Sequence, residues 1–329
     1  MPRTAATTIC PPWALRLGIM LALGISPHTY AADVAGLEEV TVTASRRAET
    51  VQELPASISV MTGDALQEAG IVSSTDVADE VPNVVFRSAW GFSQPQYYVR
   101  GLGNRNFQTN SVSPVAVYTD GVVMGSSLSQ SFQVLDLERV EVLRGPQGTL
   151  YGRNASAGLL NFISRKPDPA AGLNGYVDLS YGRYNEMSGN GALNVPVNEQ
   201  IAIRGAVAYR SRDGFFDAGN PALGGKVGDE ESWQYRLTAG YVTDDLEVLA
   251  KVRGGRIQNE QRPYKQIGSL GPAPFCPSLS LNQTCTDPSG FSDSSDPYET
   301  FLSVTGKETA RATGTDLSVT WRLSPTIAL

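Results

Sequence analysis

The second half of the chain alternates apolar and polar residues over segments of about ten residues. In one segment the apolar set is Trp233, Tyr235, Leu237, Ala239 and Tyr241. The same alternation recurs at residues 201–210, 246–253 and 316–323, and more weakly at 176–181 and 187–195. Because successive side chains of a strand point to opposite faces, this pattern predicts long strands that each have one apolar face.

The connections between these segments differ in length at the two ends. Residues 197–200 (VNEQ), 243–245 (TDD) and 324–326 (SPT) predict tight turns, whereas 213–230 and 259–309 are long. Short turns on one side and long loops on the other are typical of outer-membrane barrels, and strands of about ten residues fit a tilted bilayer crossing. A soluble β-sandwich is the alternative that alternation leaves open.

The alternating segments amount to about six strands and the start of a seventh at residues 327–329. So few strands cannot close a barrel wide enough to hold a preceding domain of about a hundred residues. We therefore expect the chain to be a fragment or a truncated product.

The first residues predict a cleaved secretory signal. Arg3 gives a positive start, residues 17–25 (LGIMLALGI) are apolar, and small residues follow. The cut is expected after Ala31 or Ala32, and a buried amino-terminal helix is the alternative. The apolar run is too short to span a membrane as a helix.

Charge and composition exclude several functions. The chain has 26 Lys and Arg against 33 Asp and Glu, which disfavours nucleic acid as a partner. Its one histidine, His28, lies in the predicted signal, which leaves no histidine for general base catalysis or for zinc or haem ligation. We find no nucleophile–base pair and no metal cluster, so we expect neither an enzyme nor a cofactor.

Residues 51–167 mix short strands, two predicted helices and long polar loops. One helix is predicted after residue 62 and closed by Gly70, because glycine tolerates the left-handed cap. A second is predicted from Ser73, with Asp76 three residues on, to Pro82. Strands are predicted at 58–61, 83–86, 97–100, 115–123, 139–143 and 159–164. This composition predicts a compact mixed α/β domain.

Two cysteines remain after the predicted signal. Cys276 and Cys285 flank a short stretch of a long connection. An even number of cysteines in an exported protein favours a disulfide between them, and two free thiols are the alternative.

Four ordered motifs resemble TonB-dependent outer-membrane receptors, in which a plug domain sits inside a barrel of about 22 strands. They are VQELPASISVMT (51–62), YYVRGLG (97–103), VAVYTDGV (115–122) and VLDLERVEVLRGPQGTLYGRNASAGLLNFISRKP (134–167). The resemblance implies a signal at 1–31, a periplasmic segment at 32–50, a plug at 51–167 and the amino-terminal part of the barrel at 172–329. The expected fold is a mixed α/β plug followed by antiparallel transmembrane strands of an incomplete barrel.

The segment GLEEVTVTASRR (36–47) is β-branched and extended, with no strand nearby to pair with it. The resemblance implies that it carries the TonB box, which pairs as an added strand with the periplasmic TonB protein; unpaired strands favour such addition. The implied contact residues are Glu38, Glu39, Val40, Thr41, Val42, Thr43 and Ala44. A plain tail that pairs with its own plug is the alternative.

A second set of residues is implied to be structural within the plug. It comprises Arg100, Gly101, Asp120, Gly121, Arg144, Gly145, Pro146, Gly152 and Arg153. The glycines are expected at tight turns, because the stretches lack the endings of phosphate-binding loops. The resemblance implies that the three arginines pair with barrel carboxylates, and a direct ligand role is the alternative.

Three loops are candidates for the ligand surface, at residues 87–96, 103–114 and 125–133. Their candidate binding residues are Arg87, Trp90, Phe92, Gln94, Arg105, Phe107, Gln108 and Phe132. Aromatic side chains with cations suit an anionic or aromatic ligand such as a ferric siderophore. Ordinary loop composition is the alternative for each residue singly.

The resemblance implies a receptor in the outer membrane that imports a scarce nutrient with energy delivered by the TonB protein. A ferric siderophore or similar iron complex is the expected cargo, and carbohydrate, cobalamin or an aromatic compound are alternatives. The expected partners are the TonB protein, outer-membrane lipid and the small-molecule ligand. A binding or adhesion protein without energy input, or a truncated copy, is the competing hypothesis.

Overall fold

A computed structural model describes residues 41–42, 49–50, 57–88, 94–106, 108, 111–132, 134–218, 225–260, 296–300, 305–324 and 327–328. The chain divides into two units, residues 1–40 and 41–329, and every described residue belongs to the second. The predicted signal and the Cys276–Cys285 pair lie outside the described residues. In the part of the chain that the structure describes, no helix has the length and apolar character needed to span a membrane.

Two short strands precede an amino-terminal domain, which comprises the described residues from 57 to 167. The two strands are β1 (Thr41–Val42) and β2 (Glu49–Thr50). The elements of the domain are β3 (Ser57–Thr62), α1 (Gly63–Glu68), α2 (Val77–Glu80), β4 (Val84–Arg87), β5 (Gln96–Val99), β6 (Val115–Thr119), β7 (Val122–Val123), a 3₁₀ helix (Ser127–Phe132), β8 (Leu137–Arg144), α3 (Gly148–Tyr151) and β9 (Gly158–Ser164). Five strands form one sheet in the order β3-β8-β9-β6-β7, and β4 pairs with β5.

The core of this domain lies between the sheet and the helices. Leu66 of α1 and Val77 of α2 pack with Val140, Val142 and other apolar residues of the sheet. The predicted mixed α/β domain is therefore confirmed.

The helix boundaries follow from local capping. The Thr62 hydroxyl accepts a hydrogen bond from the backbone N–H of Ala65 at 3.2 Å, and Gly70 has the left-handed φ of 68° that the sequence predicted. The second predicted helix is shorter than expected. Asp76 accepts from the N–H of Ser73 at 3.0 Å, as a capping box requires, but residues 74–76 form turns and the α-helix begins only at Val77.

The strands that follow form a second, antiparallel sheet of seven strands, called the strand sheet below. Its strands lie in chain order, β10-β11-β12-β15-β16-β17-β18. Its strands are β10 (Asn174–Tyr181), β11 (Met187–Pro196), β12 (Ile201–Arg212), β15 (Glu230–Val242), β16 (Leu246–Glu260), β17 (Lys307–Ser324) and β18 (Ile327–Ala328). A small hairpin of β13 (Phe216–Asp217) and β14 (Lys226–Val227) lies between β12 and β15. The predicted strands and their alternation are confirmed.

The two faces of the strand sheet differ as the alternation predicted. One face, called the outward face here, exposes apolar side chains along every long strand. These include Val177, Leu179, Leu193, Val207, Leu237, Leu317 and Val319. Trp233 is 44% exposed and Trp321 54% exposed on this face, so neither packs in a core of the kind a soluble sandwich needs.

The connections at one end of the strand sheet are joined by aromatic contacts. Phe215 lies 5.4 Å from Tyr184 and 6.3 Å from Tyr298, centroid to centroid, which links the β10–β11 turn with two long connections. The carbonyl of Tyr298 accepts from the N–H of Asp217 at 2.8 Å. The long connections thus support one another at this end.

Candidate functional site

Ion pairs join the amino-terminal domain to the strand sheet. The first group of pairs is centred on the buried Asp136. Its carboxylate accepts from Nε and Nη2 of Arg204 at 2.7 and 2.6 Å. Arg236 donates from Nη2 to the backbone oxygen of Asp136 at 2.6 Å and to its carboxylate at 3.2 Å. All three side chains are buried, so each charge depends on the others for compensation.

The local backbone explains how Asp136 reaches the strands. It has a φ of 48°, in the left-handed region that aspartate tolerates better than most residues. It stands immediately before β8, and the neighbouring Leu135 packs against Ala192 and Ala206 of the strand sheet. The apolar packing of Leu135 and the bidentate Asp136–Arg204 pair therefore act together to hold residues 135–136 of the domain against the strands.

Asp120 forms the second ion pair. With Gly121 it makes the tight turn between β6 and β7, at φ values of 49° and 82°, as an Asp-Gly hairpin turn requires. Its carboxylate accepts from the N–H and the hydroxyl of Ser164, each at 2.8 Å, and from Nζ of Lys251. Lys251 also donates to the Ser164 hydroxyl at 2.9 Å.

The environment of Asp120 shifts its acidity. Burial acts to raise the pKa of its carboxyl, but the charge of Lys251 and the hydrogen bonds from Lys251 and Ser164 outweigh burial. The net pKa is below the ordinary value, and Asp120 is therefore a carboxylate at neutral pH.

The connection between the domain and β10 is attached to the strands at successive residues. Lys166 pairs with Glu247 at 2.7 Å. The buried Asn194 side chain exchanges hydrogen bonds with the backbone of Asp168, at 2.8 and 3.0 Å, and donates to the carbonyl of Gly172 at 3.0 Å. This connection therefore has a fixed path along the inner face of the strands.

A cavity of about 760 Å³ lies beside the ion pairs. On one side it is lined by α1 and the turn that follows, including Asp64 and Ser73, and on the other by strand residues such as Asp178, Asn190 and Gln234. Among the described residues, Asp178 Oδ2 and Gln234 Oε1 are buried without a hydrogen-bond partner. The lining offers carboxylate and amide groups of the kind that solvate a polar molecule.

The predicted structural glycines occupy turns. Gly101, Gly121, Gly145 and Gly152 have φ values of 78°, 82°, 107° and 73°, where a side chain would be strained. Pro146 lies in the same turn region, where the N–H of Gln147 bonds to the carbonyl of Ala155 at 2.7 Å.

The predicted partners of the arginines are not seen among the described residues. Arg144 contacts the hydroxyl of Ser59 within the domain, and the structure shows no ion pair from Arg100, Arg144 or Arg153 to a carboxylate of the described strands. The Asp136–Arg204 and Asp120–Lys251 pairs across this contact have the opposite polarity, with carboxylates on the domain and cations on the strands. The pairing implied for those three arginines stays a prediction.

The structure describes only part of the predicted ligand set. Arg87, Arg105 and Gln108 are exposed, and Gln94 lies 3.4 Å from a carboxylate oxygen of Glu308 on β17. Trp90, Phe92 and Phe107 lie outside the described residues, and of Phe132 only the backbone, in the 3₁₀ helix, is described. The described members are therefore distributed over the domain surface, and only Gln94 reaches the strands.

The loop that carries Arg105 and Gln108 has an internal support that sequence reasoning missed. The Tyr98 hydroxyl donates to the carbonyl of Asn104, and the ring fills the space beside Gly103, where a Cβ would overlap it. The Ser111 hydroxyl donates to the carbonyl of Asn106 at 2.6 Å. The residues that make these contacts are present in the motif YYVRGLGN, but the sequence does not show which of its two tyrosine rings lies against Gly103; the structure shows that it is Tyr98.

The predicted TonB box is not without a partner strand. Thr41 pairs with Thr50 and Val42 with Glu49, in a short antiparallel ladder, and the Val42 side chain is buried. The expectation that no strand nearby answers this segment is wrong for these two residues. The other residues of the predicted box, Glu38, Glu39, Val40, Thr43 and Ala44, lie outside the described residues.

The ion-pair residues themselves were missed from sequence, apart from Asp120. Arg204, Arg236 and Lys251 stand at inward positions of strands whose alternate residues are apolar. Because a buried cation needs a partner, this placement was the available signal for a contact with a carboxylate. It could not identify Asp136, which lies 68 residues from Arg204 and 100 from Arg236.

Comparison with known proteins supports this architecture. Residues 50–159 match the family described as the TonB-dependent Receptor Plug Domain. The chain is 30% identical over 177 residues to the ferripyoverdine receptor of Pseudomonas aeruginosa, covering 53% of this chain and 21% of that protein. It is 27% identical over 255 residues to an iron-regulated outer membrane virulence protein of Vibrio cholerae, covering 72% of this chain and 38% of that protein.

The fold also matches a solved structure. The ferric yersiniabactin uptake receptor of Yersinia pestis superposes with a TM-score of 0.66 at 20% identity, over 81% of this chain and 38% of that one. The chain thus spans about a fifth to two fifths of the relatives it matches. The plug-domain match, the strand sheet with its exposed apolar face and the structural superposition agree: residues 50–159 belong to the plug-domain family of TonB-dependent receptors, and antiparallel strands of a partial barrel follow this plug.

Proposed function

We propose that this chain forms the plug and the first barrel strands of a receptor that imports an iron chelate across the outer membrane with energy from the TonB protein. The observation that carries the proposal is the plug domain, which the buried carboxylate of Asp136 and the partly buried carboxylate of Asp120 hold against the inner face of the strands. A plug that closes the pore must move before cargo passes, and ion pairs confined to a few points can be broken without unfolding the strands.

The cargo class rests on the relatives. Proteins named for ferripyoverdine and ferric yersiniabactin share the fold, and the ferripyoverdine receptor shares 30% sequence identity. The exposed Arg87, at the end of β4, and Arg105, in the loop after β5, suit the negative charge that ferric chelates often carry. An iron complex therefore remains the favoured cargo, and the predicted contact residues among the loops remain part of this proposal.

The TonB protein is the proposed partner of residues 38–44. The strand pairs with residues 49–50 on one edge, so another protein would add to its second edge or replace that pairing. Replacement would break a ladder of only two residue pairs but would also remove the Val42 side chain from its buried position, so the partner must supply comparable burial.

The proposal is tested by proline substitution in the full-length receptor. Val42→Pro removes a backbone donor from the predicted box and should abolish uptake of radioactive iron while leaving binding of the ferric chelate to cells unchanged. Glu49→Pro is the matched control, because it breaks the chain's own β1–β2 pairing and leaves the box intact. Full uptake by the Val42→Pro receptor would refute the role given to the box.

The burial of Val42 within the chain's own ladder favours one alternative, a receptor that binds its ligand without energy input. Cross-linking distinguishes the two. A cysteine in place of Thr41 should form an adduct with the TonB protein during import, and absence of that adduct with normal ligand binding supports the alternative.

A further inference from the structure

The outward face of the strand sheet carries two arginines directly opposite each other. Arg256 of β16 and Arg311 of β17 are cross-strand partners, and Arg256 also pairs in register with Trp233 of β15. Their outward direction follows from alternation, since Leu317 and Val319 of β17 share the face of Arg311 and are exposed. Like charges directly opposite on one face repel, so this arrangement needs an explanation.

The described residues do not neutralise this pair. No carboxylate in the described part of the chain forms an ion pair with Arg256 or Arg311. Glu231, which belongs to the next outward row, is exposed and makes no described ion pair with either. Arg256 contacts the side-chain oxygen of Gln258, and its Nε is buried without a hydrogen-bond partner among the described residues.

The depth of the two arginines in the membrane can be deduced from β17. From Arg311 to Trp321 the strand advances ten residues, which is about 33 Å along the strand and about 25 Å along the axis of a barrel with the usual tilt. Leu317, Val319 and the residues opposite them, Ala250 and Val248, are apolar, and Thr313 and Thr315 lie between this apolar surface and Arg311. Trp321 marks one interface, so Arg311 and Arg256 lie at the other, next to the long connections.

Aromatic rings flank the arginines at this interface. Trp233 stacks on Tyr235 with ring centroids 6.0 Å apart, and Tyr209 is the cross-strand partner of Trp233. Aromatic side chains at this depth lie at the level of lipid headgroups. A cross-strand row is thus formed by Tyr209, Trp233, Arg256 and Arg311. The two aromatic rings, with the apolar residues on the membrane side of the row, offer surface for an acyl chain of a lipid, and the two arginines offer cationic donors to its headgroup.

We propose that Arg256 and Arg311 bind the phosphate of a phosphorylated glycolipid in the outer leaflet. One phosphate between two guanidinium groups removes their repulsion and supplies acceptors for their exposed donors. The site lies on the outside of the barrel wall, away from the plug, and so serves attachment to the lipid rather than passage of cargo.

The test uses the full-length receptor in detergent, titrated with bis-phosphorylated lipid A and analysed by native mass spectrometry. The double variant R256Q/R311Q should bind lipid A about tenfold or more weakly, because charge-assisted hydrogen bonds are lost. The variant R256K/R311K, which keeps both charges, should retain most of the binding and shows that the strands still fold. Lys226→Gln removes an exposed cation at the same end and should leave binding unchanged.

Two further arms identify the source of the phosphate. Dephosphorylated lipid A should bind the unaltered receptor as weakly as lipid A binds the double variant. Inorganic phosphate in excess should not displace lipid A, because the acyl chains contribute to binding. Equal affinity of the double variant and the unaltered receptor for lipid A overturns the proposal, and displacement by inorganic phosphate overturns the lipid as its ligand.

Discussion

Asp136 of the plug accepts two hydrogen bonds from the guanidinium of Arg204 on β12, at 2.6 and 2.7 Å, although 68 residues separate them in the chain. The Asp136 side chain is fully buried and that of Arg204 is 8% exposed. A second guanidinium, from Arg236, shares the same carboxylate. One plug residue thus compensates two buried cations of the strands.

Replacing Asp136 by Asn should loosen the plug strongly. Two buried guanidinium groups lose their counter-charge, and removal of one partner of such a cluster costs about 3–5 kcal/mol. Limited proteolysis of the full-length receptor in urea should show the plug cleaved at lower denaturant than in the unaltered protein. Asp64→Asn, which breaks an exposed pair with Arg165, is the control and should change little. Equal protection of the Asp136→Asn plug would contradict the role given to this pair.

The contact at Asp120 should weaken in acid. Its folded pKa lies below the ordinary value of 3.8, so its contribution to stability is fully present above that value and is lost as the pH falls below it. Plug protection measured from about pH 6 to about pH 2 should therefore fall in the lower part of that range. An Asp120→Asn receptor should lose this component of the pH dependence, and an unchanged profile would show that other carboxylates account for it.

Gly240 should not tolerate a side chain. A Cβ at this position would lie 2.7 Å from Cγ of Pro167, at the point where the plug connection crosses β15. Gly240→Ala should cost about 1–3 kcal/mol, through overpacking. Gly205→Ala is the matched control in β12, since its nearest atom would be 3.8 Å away on Leu237. Thermal unfolding of both receptors in detergent compares them, and equal stability would place the connection elsewhere.

An arginine introduced on the outward face should destabilise the folded protein more, the closer it lies to the middle of the bilayer. Leu237 lies near the middle of the apolar band and Met187 at the end with the long connections. Leu237→Arg should reduce the folding free energy in lipid bilayers by about 2–4 kcal/mol, and Met187→Arg by about 0–1 kcal/mol. Folding into vesicles over a denaturant series measures both, and equal costs would mean that Leu237 does not face lipid.

Sequence alone predicted the strands because alternation is a local property that lipid on one face enforces along each strand. Leu246, Val248, Ala250 and Val252 were placed on one face from their spacing, and the register of β16 with β17 confirms that face. The single strand predicted at 115–123 was wrong: it divides into β6 and β7 at the turn of Asp120 and Gly121, although an Asp-Gly pair is itself a local signal for a tight hairpin.

The contacts between plug and strands were not accessible in the same way. A carboxylate such as Asp136 has no local signature that selects Arg204 or Arg236, because the three meet only when two distant folding units pack together. The pairing of Val42 with Glu49 was missed for a related reason. Glu49 and Thr50 lie in a charged stretch whose composition favours solvent, and two residue pairs leave too little periodicity to recognise.

Asn194 has a consequence for how force passes through the molecule. Its hydrogen bonds to Asp168 and Gly172, with the Lys166–Glu247 pair beside them, anchor the last residues of the plug to the wall. A pull that arrives from the other end of the plug sequence therefore meets a fixed pivot rather than a free tail. In the proposed receptor, the carboxyl end of the plug would therefore stay attached to the strands while force acts on its other end.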